Sequence, residues 1–284
     1  MGLLAALLSA VFASAKDLVS KKLASGLDGT ASTFASFAFA LPFYAILLTV
    51  LWLLGQETFT WSLAFLGLVL LRSVTDTFAE WMKMHAFGHG DISMVATFLS
   101  ISPLFLLVTS PLITGDKLSL TGTLGVILVV GGSLVVVYRP SAGWAGHKKG
   151  ILLAVGASLF FSLNSCFDRL AVLEGTPVFA GFTMTLLSAL FLLPFTLVKK
   201  ERRQGLRVYW AGLLVRGILE VAFMVSKLYA LQYRSAPDVA GIQRVSLVLS
   251  IIGGRVLFQE EDFGRRLAAG VFILAGVFLL AWLQ

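Results

Sequence analysis

Ten long apolar runs follow one another along the chain, and only short polar connections separate them. Each run has about 20 residues, the length that a helix needs to cross the hydrocarbon core of a bilayer. The runs are continuously apolar and do not alternate, which favours helices over the strands of a closed barrel. We predict an all-α membrane protein with ten transmembrane helices, at residues 2–20, 30–54, 61–85, 92–113, 118–138, 150–169, 177–198, 208–231, 237–258 and 265–283.

Composition supports the same interpretation. Of the 284 residues, 58% are hydrophobic and 13% are charged, and the mean hydropathy is +0.91. Soluble domains are about 45–50% apolar and about 25% charged, so this chain cannot bury its apolar side chains in a core of its own. Cys166 is the single cysteine, which excludes an intramolecular disulfide. We expect an integral multi-pass protein of the cell membrane, plasma or inner, with lipid as its solvent.

The chain also matches itself. At an offset of 148 residues the first span aligns with the sixth, and from the third span onward an offset of 144 aligns the rest without a gap. The rare charged residues make this register credible, since Arg72 meets Arg216, Asp76 meets Glu220 and Lys83 meets Lys227. Each copy carries five spans, an odd number, so the second copy must enter the membrane from the opposite side. We predict two inverted five-helix repeats, residues 1–140 and 146–284, an arrangement typical of secondary transporters.

Two groups of segments carry a resemblance to a known family. The first comprises residues 92–96, 102–105 and 115–118, and the second comprises residues 229–231, 239–240 and 258–261. In these segments and in its repeats the chain resembles the drug/metabolite transporter superfamily, in particular its ten-helix members with two EamA-like repeats. Two residues depart from the pattern: Asp116 stands where the family usually has Glu, and Leu247 stands where the first half has Pro103. The resemblance implies transport of amino acids, other small metabolites, nucleotide sugars or phosphorylated sugars.

Charged side chains inside the third and eighth spans are the first candidates for chemistry. A charge at the bilayer centre costs about 2.5–3.5 kcal/mol on insertion scales, so it faces the bundle interior or a wet cavity. At 100° per residue, Arg72, Asp76 and Lys83 lie at roughly 0°, 40° and 20° around the third helix, on one narrow face. The eighth helix repeats this face. With two polar residues of the ninth span, the predicted substrate-binding residues are Arg72, Asp76, Lys83, Arg216, Glu220, Lys227, Gln243 and Arg244.

We call the two rows of charged residues, Arg72, Asp76 and Lys83 on the third helix and Arg216, Glu220 and Lys227 on the eighth, the stripe. Two interpretations of this stripe stay open. In the first, Arg72 and Arg216 hold an anionic group of the substrate by bidentate hydrogen bonds. Asp76 or Glu220 would then bind a substrate amine or carry a proton. In the second, each Arg forms an ion pair with the acid four residues later, and the pairs only neutralise buried charges.

Weaker candidates lie beside the stripe. Lys16 and Asp17 come late in the first span, where Lys16 either faces the interior or reaches an interface, and Glu80 lies near the stripe. His85 and His89 have a helical metal-ligand spacing but no evident third ligand, so we predict no metal site. Small residues seven apart in the fifth and tenth spans indicate close helix packing, either within the fold or in a homodimer: Gly125, Gly132, Ala269 and Gly276.

The basic residues between the spans predict an orientation. Twelve Lys and Arg residues lie in the 1–2, 5–6, 7–8 and 9–10 connections, and three lie on the other side. The positive-inside rule places the richer side in the cytoplasm and both termini outside. The family resemblance implies the opposite, with the termini inside. The net charge of +7 is therefore loop charge that orients a membrane protein and does not indicate a nucleic-acid partner.

Taken together, the sequence predicts an alternating-access transporter of a small polar metabolite, anionic or zwitterionic, such as an amino acid. A lipid or lipid-linked-sugar flippase and a non-transporting scaffold are the alternatives. The chain has no phosphate-binding Gly-x-x-x-x-Gly-Lys loop and no His-Glu-x-x-His helix, so we predict neither an enzyme nor a bound cofactor. Proton coupling stays open.

Overall fold

The computed structural model describes residues 1–23, 26–89, 98–99, 101–116, 119–137, 148–258 and 263–282. Within these ranges the regular structure is entirely α-helical. The helices are α1 (Gly2–Leu23), α2 (Gly29–Ala38), α3 (Leu41–Leu53), α4 (Leu63–His89), α5 (Ser102–Ile113), α6 (Leu120–Val137), α7 (Lys148–Glu174), α8 (Pro177–Leu197), α9 (Lys200–Val208), α10 (Trp210–Tyr233), α11 (Ala236–Ile242), α12 (Val245–Phe258) and α13 (Phe263–Trp282).

The prediction of an all-α membrane protein is confirmed. Every predicted span overlaps at least one of these helices, although residues 92–97, 100, 118, 138 and 283 of these spans lie outside the described part of the chain. Among the described residues, five segments are both long and apolar enough to cross a bilayer: Gly2–Ser20, Gly29–Leu53, Lys148–Glu174, Pro177–Leu197 and Ala236–Leu257. Helix α4, with 27 residues, is long enough but carries Arg72, Asp76 and Glu80 within one stretch of 18 residues. The count of ten spans stays a prediction.

Two of the predicted spans are broken helices. The second span is interrupted at Phe39 and Ala40, between α2 and α3, and Pro42 lies in the first turn of α3. A proline has no N–H to donate and its ring clashes with the carbonyl four residues earlier, so it ends a helix that would otherwise continue. The ninth span is interrupted at Gln243 and Arg244, between α11 and α12.

The largest helix interfaces are related by the repeat. They join α4 to α7, α1 to α10, and α6 to α13. At the sequence offsets of 148 and 144 residues, α1 corresponds to α7, α4 to α10 and α6 to α13. The repeat therefore relates the α4–α7 interface to the α1–α10 interface, and it relates the α6–α13 interface to itself. This pattern is expected of two copies related by a two-fold axis, and it supports the inverted-repeat prediction.

Small residues make the α6–α13 interface close. A Cβ atom on Gly276 would lie 2.6 Å from the carbonyl oxygen of Gly125, and one on Gly132 would lie 2.9 Å from the backbone nitrogen of Ile273. Only glycine lets the two backbones approach to this distance. The glycines of the fifth and tenth spans thus serve packing within the fold, one of the two uses that the sequence left open.

A short basic helix precedes the eighth span. Helix α9 meets α10 at an angle of 79°, so it does not continue that span. Arg202 anchors it, because its Nε atom donates to Asp28 Oδ2 at 2.5 Å and its Nη1 atom donates to the carbonyl of Phe195 at 2.6 Å. Asp28 also caps α2 through the backbone N–H of Ala31 at 2.6 Å. The contact fixes the polar connection between α8 and α10 against the start of α2.

Candidate functional site

Arg72 is the centre of the polar face of α4. Its Nε atom donates to Asp168 Oδ1 on α7 at 2.8 Å, and its Nη1 atom donates to Asp76 Oδ2 at 2.5 Å. The Nη2 atom lies 3.8 Å from the sulfur of Met224 on α10. Arg72 is 5% exposed and Asp168 is fully buried. The guanidinium group is therefore satisfied almost entirely by protein groups.

Asp168 joins three helices. Besides Arg72 on α4, its Oδ2 atom accepts a hydrogen bond from Lys227 Nζ on α10 at 2.7 Å. Asn164, one turn earlier on α7, donates to Asp76 Oδ1 at 2.8 Å. Two cations and two carboxylates thus balance in a buried cluster. We call it the Asp168 network: Arg72, Asp76, Asn164, Asp168 and Lys227.

A second cluster lies around Arg216 on α10. Arg216 Nε donates to the hydroxyl of Ser20 on α1 at 2.7 Å, and Lys16 Nζ lies 3.2 Å from Glu220 Oε2. On α4, Lys83 Nζ donates to Glu80 Oε1 at 2.6 Å. The charge of Glu80 acts on both Lys16 and Arg216, so the two pairs share one electrostatic environment. We call this cluster the Arg216 network: Lys16, Ser20, Glu80, Lys83, Arg216 and Glu220.

The Arg216 network has unused hydrogen-bonding capacity. Arg216 Nη1 and Glu80 Oε2 are buried and have no hydrogen-bond partner among the described residues. Arg216 is 3% exposed and Glu80 is 8% exposed, so water in bulk does not replace the missing partners. A buried donor and a buried acceptor without partners are costly unless something else binds them. The arrangement can accept an anionic group at Arg216 and a cationic or hydroxyl donor at Glu80.

The two networks occupy corresponding positions in the two halves. Under the offset of 144 residues Arg72 corresponds to Arg216, and under the offset of 148 residues Ser20 corresponds to Asp168. In both networks the Nε atom of the arginine donates to that corresponding residue. Equivalent bonds therefore form with different partners, a carboxylate in one half and a hydroxyl in the other.

The polar residues of the ninth span lie at its break. Gln243 Nε2 donates to the hydroxyl of Ser9 on α1 at 2.9 Å. Arg244 Nε is buried and has no hydrogen-bond partner within the described ranges. The sequence placed both residues inside a continuous helix, but they follow the last turn of α11. Arg244 therefore adds a third buried polar atom that a ligand can satisfy.

The stripe predicted from the sequence is present, although its partners differ from the expected ones. Arg72 pairs with Asp76, as local spacing suggests, but Glu220 pairs with Lys16 and not with Arg216. Lys83 and Lys227 bind Glu80 and Asp168 respectively. The sequence treated Lys16 as a weak candidate and missed Asp168. The signal for Asp168 was available, because it is a charged residue within the sixth span.

The histidines of α4 bond to their own helix. His85 Nδ1 lies 2.8 Å from the carbonyl oxygen of Trp81, and His89 Nδ1 lies 2.8 Å from that of His85. Across the residues with described positions, no group of three or more His, Cys, Asp or Glu side chains could hold a metal ion.

Comparisons with known proteins agree with this architecture. Residues 1–138 and 148–282 match the model of the EamA-like transporter family. An uncharacterized transporter of Archaeoglobus fulgidus is 28% identical over 194 residues, which span 66% of this chain and 66% of that relative, just under two thirds of its length.

The crystal structure of another protein superimposes on 99% of this chain and over 96% of that protein's chain, with a TM-score of 0.76 and 16% sequence identity. At that identity the likeness shows a shared fold alone. The family match extends over nearly the whole chain. The chain therefore belongs to the EamA-like transporter family, within the drug/metabolite transporter superfamily, and is an integral multi-pass membrane protein.

Proposed function

We propose that the protein is an alternating-access secondary transporter of a small polar metabolite that is anionic or zwitterionic, such as an amino acid. The observation that carries the proposal is the presence of two buried atoms in the Arg216 network, Arg216 Nη1 and Glu80 Oε2, that have no hydrogen-bond partner among the described residues. Membership of a transporter family supports transport as the activity and favours it over catalysis.

The chemistry of the Arg216 network suits a zwitterion. A guanidinium group binds a carboxylate or phosphate through two parallel hydrogen bonds, and Arg216 uses only its Nε atom on Ser20. A substrate ammonium group would find an acceptor in Glu80 Oε2. Arg72 is a weaker candidate for direct binding because Asp76 and Asp168 already engage it. We therefore assign substrate contact first to Arg216, with Lys16, Glu80 and Glu220 around it.

The interfaces of the fold support alternating access. In an inverted repeat, the two halves can exchange conformations, which opens the site first to one side and then to the other. The interface between α4 and α7 and its counterpart between α1 and α10 each border one of the two networks. A substrate bound between them would sense both halves.

The test is counterflow exchange in liposomes that contain the purified protein and an internal mixture of unlabelled amino acids and organic acids. A transporter accelerates uptake of the matching labelled compound when the same compound is inside. Arg216→Ala should reduce this acceleration roughly 10- to 150-fold, and Arg203→Ala on the exposed helix α9 is the matched control. Arg216→Lys, which keeps the charge but not the bidentate geometry, should retain little activity.

The other outcomes are equally informative. Unchanged exchange by Arg216→Ala at equal reconstitution would overturn the assignment of the site. Transfer of labelled lipids from one leaflet to the other, without metabolite exchange, would indicate a flippase and overturn the proposal. Absence of any transported compound, together with intact folding, would favour a scaffold.

A further inference from the structure

We infer that Asp168 is a state-determining residue: it holds the transporter in the described conformation, and the opposite conformation has no equivalent carboxylate. The inference rests on the proposed alternating-access function and deepens it. It predicts that the two conformations of this inverted repeat differ in stability because one residue pair, Ser20 and Asp168, is not matched in charge.

Asp168 connects three helices that the transport cycle would move relative to one another. Its two carboxylate oxygens accept from Arg72 on α4 and from Lys227 on α10, at 2.8 and 2.7 Å. Asp168 itself lies on α7 and is fully buried. Helices α4 and α10 are counterparts in the two halves, so this single side chain holds two corresponding helices against a third. Any motion that separates α4 from α10 at this level must break at least one charge-assisted hydrogen bond.

The corresponding position in the other half is only partly used. Ser20 accepts one hydrogen bond, from Arg216, at 2.7 Å. The counterpart of Lys227 is Lys83, which binds Glu80 at 2.6 Å instead of Ser20. Glu80 has no counterpart acid, because Met224 occupies the corresponding position on α10. The first half thus neutralises its lysine locally, and the second half neutralises its lysine across the bundle.

Exchange of conformations between the halves makes this asymmetry consequential. In the opposite conformation, each half adopts the arrangement that the other half has in the described conformation. Arg216 and Lys83 then surround residue 20 in the way that Arg72 and Lys227 now surround residue 168. A hydroxyl group there cannot balance two cations, whereas a carboxylate can. The described conformation is therefore favoured, and substrate binding at Arg216 must supply the difference during the transport cycle.

The experiment measures the conformation directly. Spin labels replace Leu63 at the start of α4 and Tyr233 at the end of α10, both exposed, in a Cys166→Ser background, and pulsed electron resonance gives the distance between them. The wild-type chain should show one dominant distance. Lys227→Met, which removes one of the two bonds to Asp168, should raise the population of a second distance by roughly 10-fold.

Ser20→Asp gives the reciprocal test. It supplies the missing carboxylate to the opposite conformation, so it should also raise the second distance by roughly 10-fold while every residue of the Asp168 network is kept. Lys200→Met is the control for Lys227→Met, because Lys200 is exposed on α9 and belongs to neither network. It should leave the distance distribution unchanged. Asp168→Asn should have the largest effect, and the other two variants carry the test if it does not fold.

The outcomes separate this inference from the proposed function. If wild-type protein exchanges metabolites but Ser20→Asp and Lys227→Met keep the wild-type distances, the inference is wrong and the transporter assignment stands. An equal response to Lys200→Met and Lys227→Met would also overturn it. If wild-type protein performs no exchange although the label distances respond as expected, the proposed function fails and the joint at Asp168 remains.

Discussion

The Asp168 network and the Arg216 network occupy corresponding places in the two halves, yet they satisfy their charges differently. In the Asp168 network the guanidinium group of Arg72 and both carboxylate groups have hydrogen-bond partners in the protein. In the Arg216 network one guanidinium nitrogen and one carboxylate oxygen have none among the described residues. The difference begins with one position, where Asp168 corresponds to Ser20.

This comparison separates two uses of buried charge. A buried ion pair seldom adds net stability, but removal of one partner leaves an uncompensated charge and is strongly destabilising. The complete network is consistent with a structural joint, and the incomplete network with a site for an external ligand. Duplication of one five-helix unit would supply both, after which a single substitution could specialise them.

The largest effect should follow from removal of Asp168. Asp168→Asn leaves Arg72 with Asp76 alone and removes the carboxylate that Lys227 binds, and we expect a loss of about 3–5 kcal/mol in the free energy of unfolding. Ser20→Ala, at the corresponding position, removes one hydroxyl and should cost about 1 kcal/mol. Chemical denaturation in detergent micelles, followed by tryptophan fluorescence, measures both. Equal losses in the two variants would contradict the assignment of different roles.

The next effect should appear at the paired arginines. Arg216→Ala removes a charge-assisted contact to substrate worth about 1.5–3 kcal/mol, so exchange should fall roughly 10- to 150-fold. Its thermal stability should change little, since Ser20 is the one hydrogen-bond partner of Arg216 among the described residues. Arg72→Ala should instead lower the melting temperature strongly, because Asp76 and Asp168 each lose a buried charge-assisted partner.

The paired measurement sharpens the comparison. Melting curves and counterflow rates of both variants are recorded at equal protein density in the membrane. A stable Arg72→Ala variant with no exchange, beside an unstable Arg216→Ala variant with normal exchange, would reverse the roles that we assign.

Much of this architecture was predictable from the sequence. Continuous apolar runs predicted helices, and matched charged residues at fixed offsets predicted corresponding halves. The single charged face of α4 followed from the spacing of Arg72, Asp76 and Lys83, and all three side chains have buried or half-buried positions. These features are local or periodic, so a linear pattern contains them.

The pairing of the charges was not predictable in the same way. A spacing of four residues suggests that Arg216 pairs with Glu220, but Lys16 of α1 lies close enough to Glu220 to take its place. The choice depends on how α1 packs against α10, which helix periodicity does not specify. The break at Gln243 and Arg244 was likewise missed, because no proline marks it. The proline at position 42 could have revealed the other break.

The α6–α13 interface provides a contrast with both networks, since its contacts are apolar and close. Gly276→Ala places a Cβ atom 2.6 Å from the backbone oxygen of Gly125, and backbone cannot move aside as a side chain can. We expect a loss of about 1–3 kcal/mol in stability. Gly131→Ala on the same interface helix is the control, because no atom outside its helix lies within 4 Å of its added Cβ. A stable Gly276→Ala variant would show that the α6–α13 interface does not hold the two halves together.

The smallest effect should come from Glu57, a buried acid that belongs to neither network and lies outside the spans. It accepts a hydrogen bond from the hydroxyl of Thr176 at the start of α8. Burial raises the pKa of Glu57 above its ordinary value, although the backbone N–H of Phe179 acts in the opposite direction. A carboxyl group whose pKa is higher in the folded state stabilises the fold when protonated, and this contribution is lost as the pH rises through the folded pKa.

Glu57→Gln should therefore remove part of the pH dependence. Relative to the variant, the wild-type chain should lose stability between pH 4 and neutral pH, by less than about 1 kcal/mol. Melting temperatures of both proteins across this range measure the difference, with Glu174→Gln at the exposed end of α7 as the control. A wild-type chain that gains stability over the variant as the pH rises would show that the helix N-terminus outweighs burial. In that case an ionised Glu57 would be a cap that fixes the start of α8 beside the loop that joins α3 to α4.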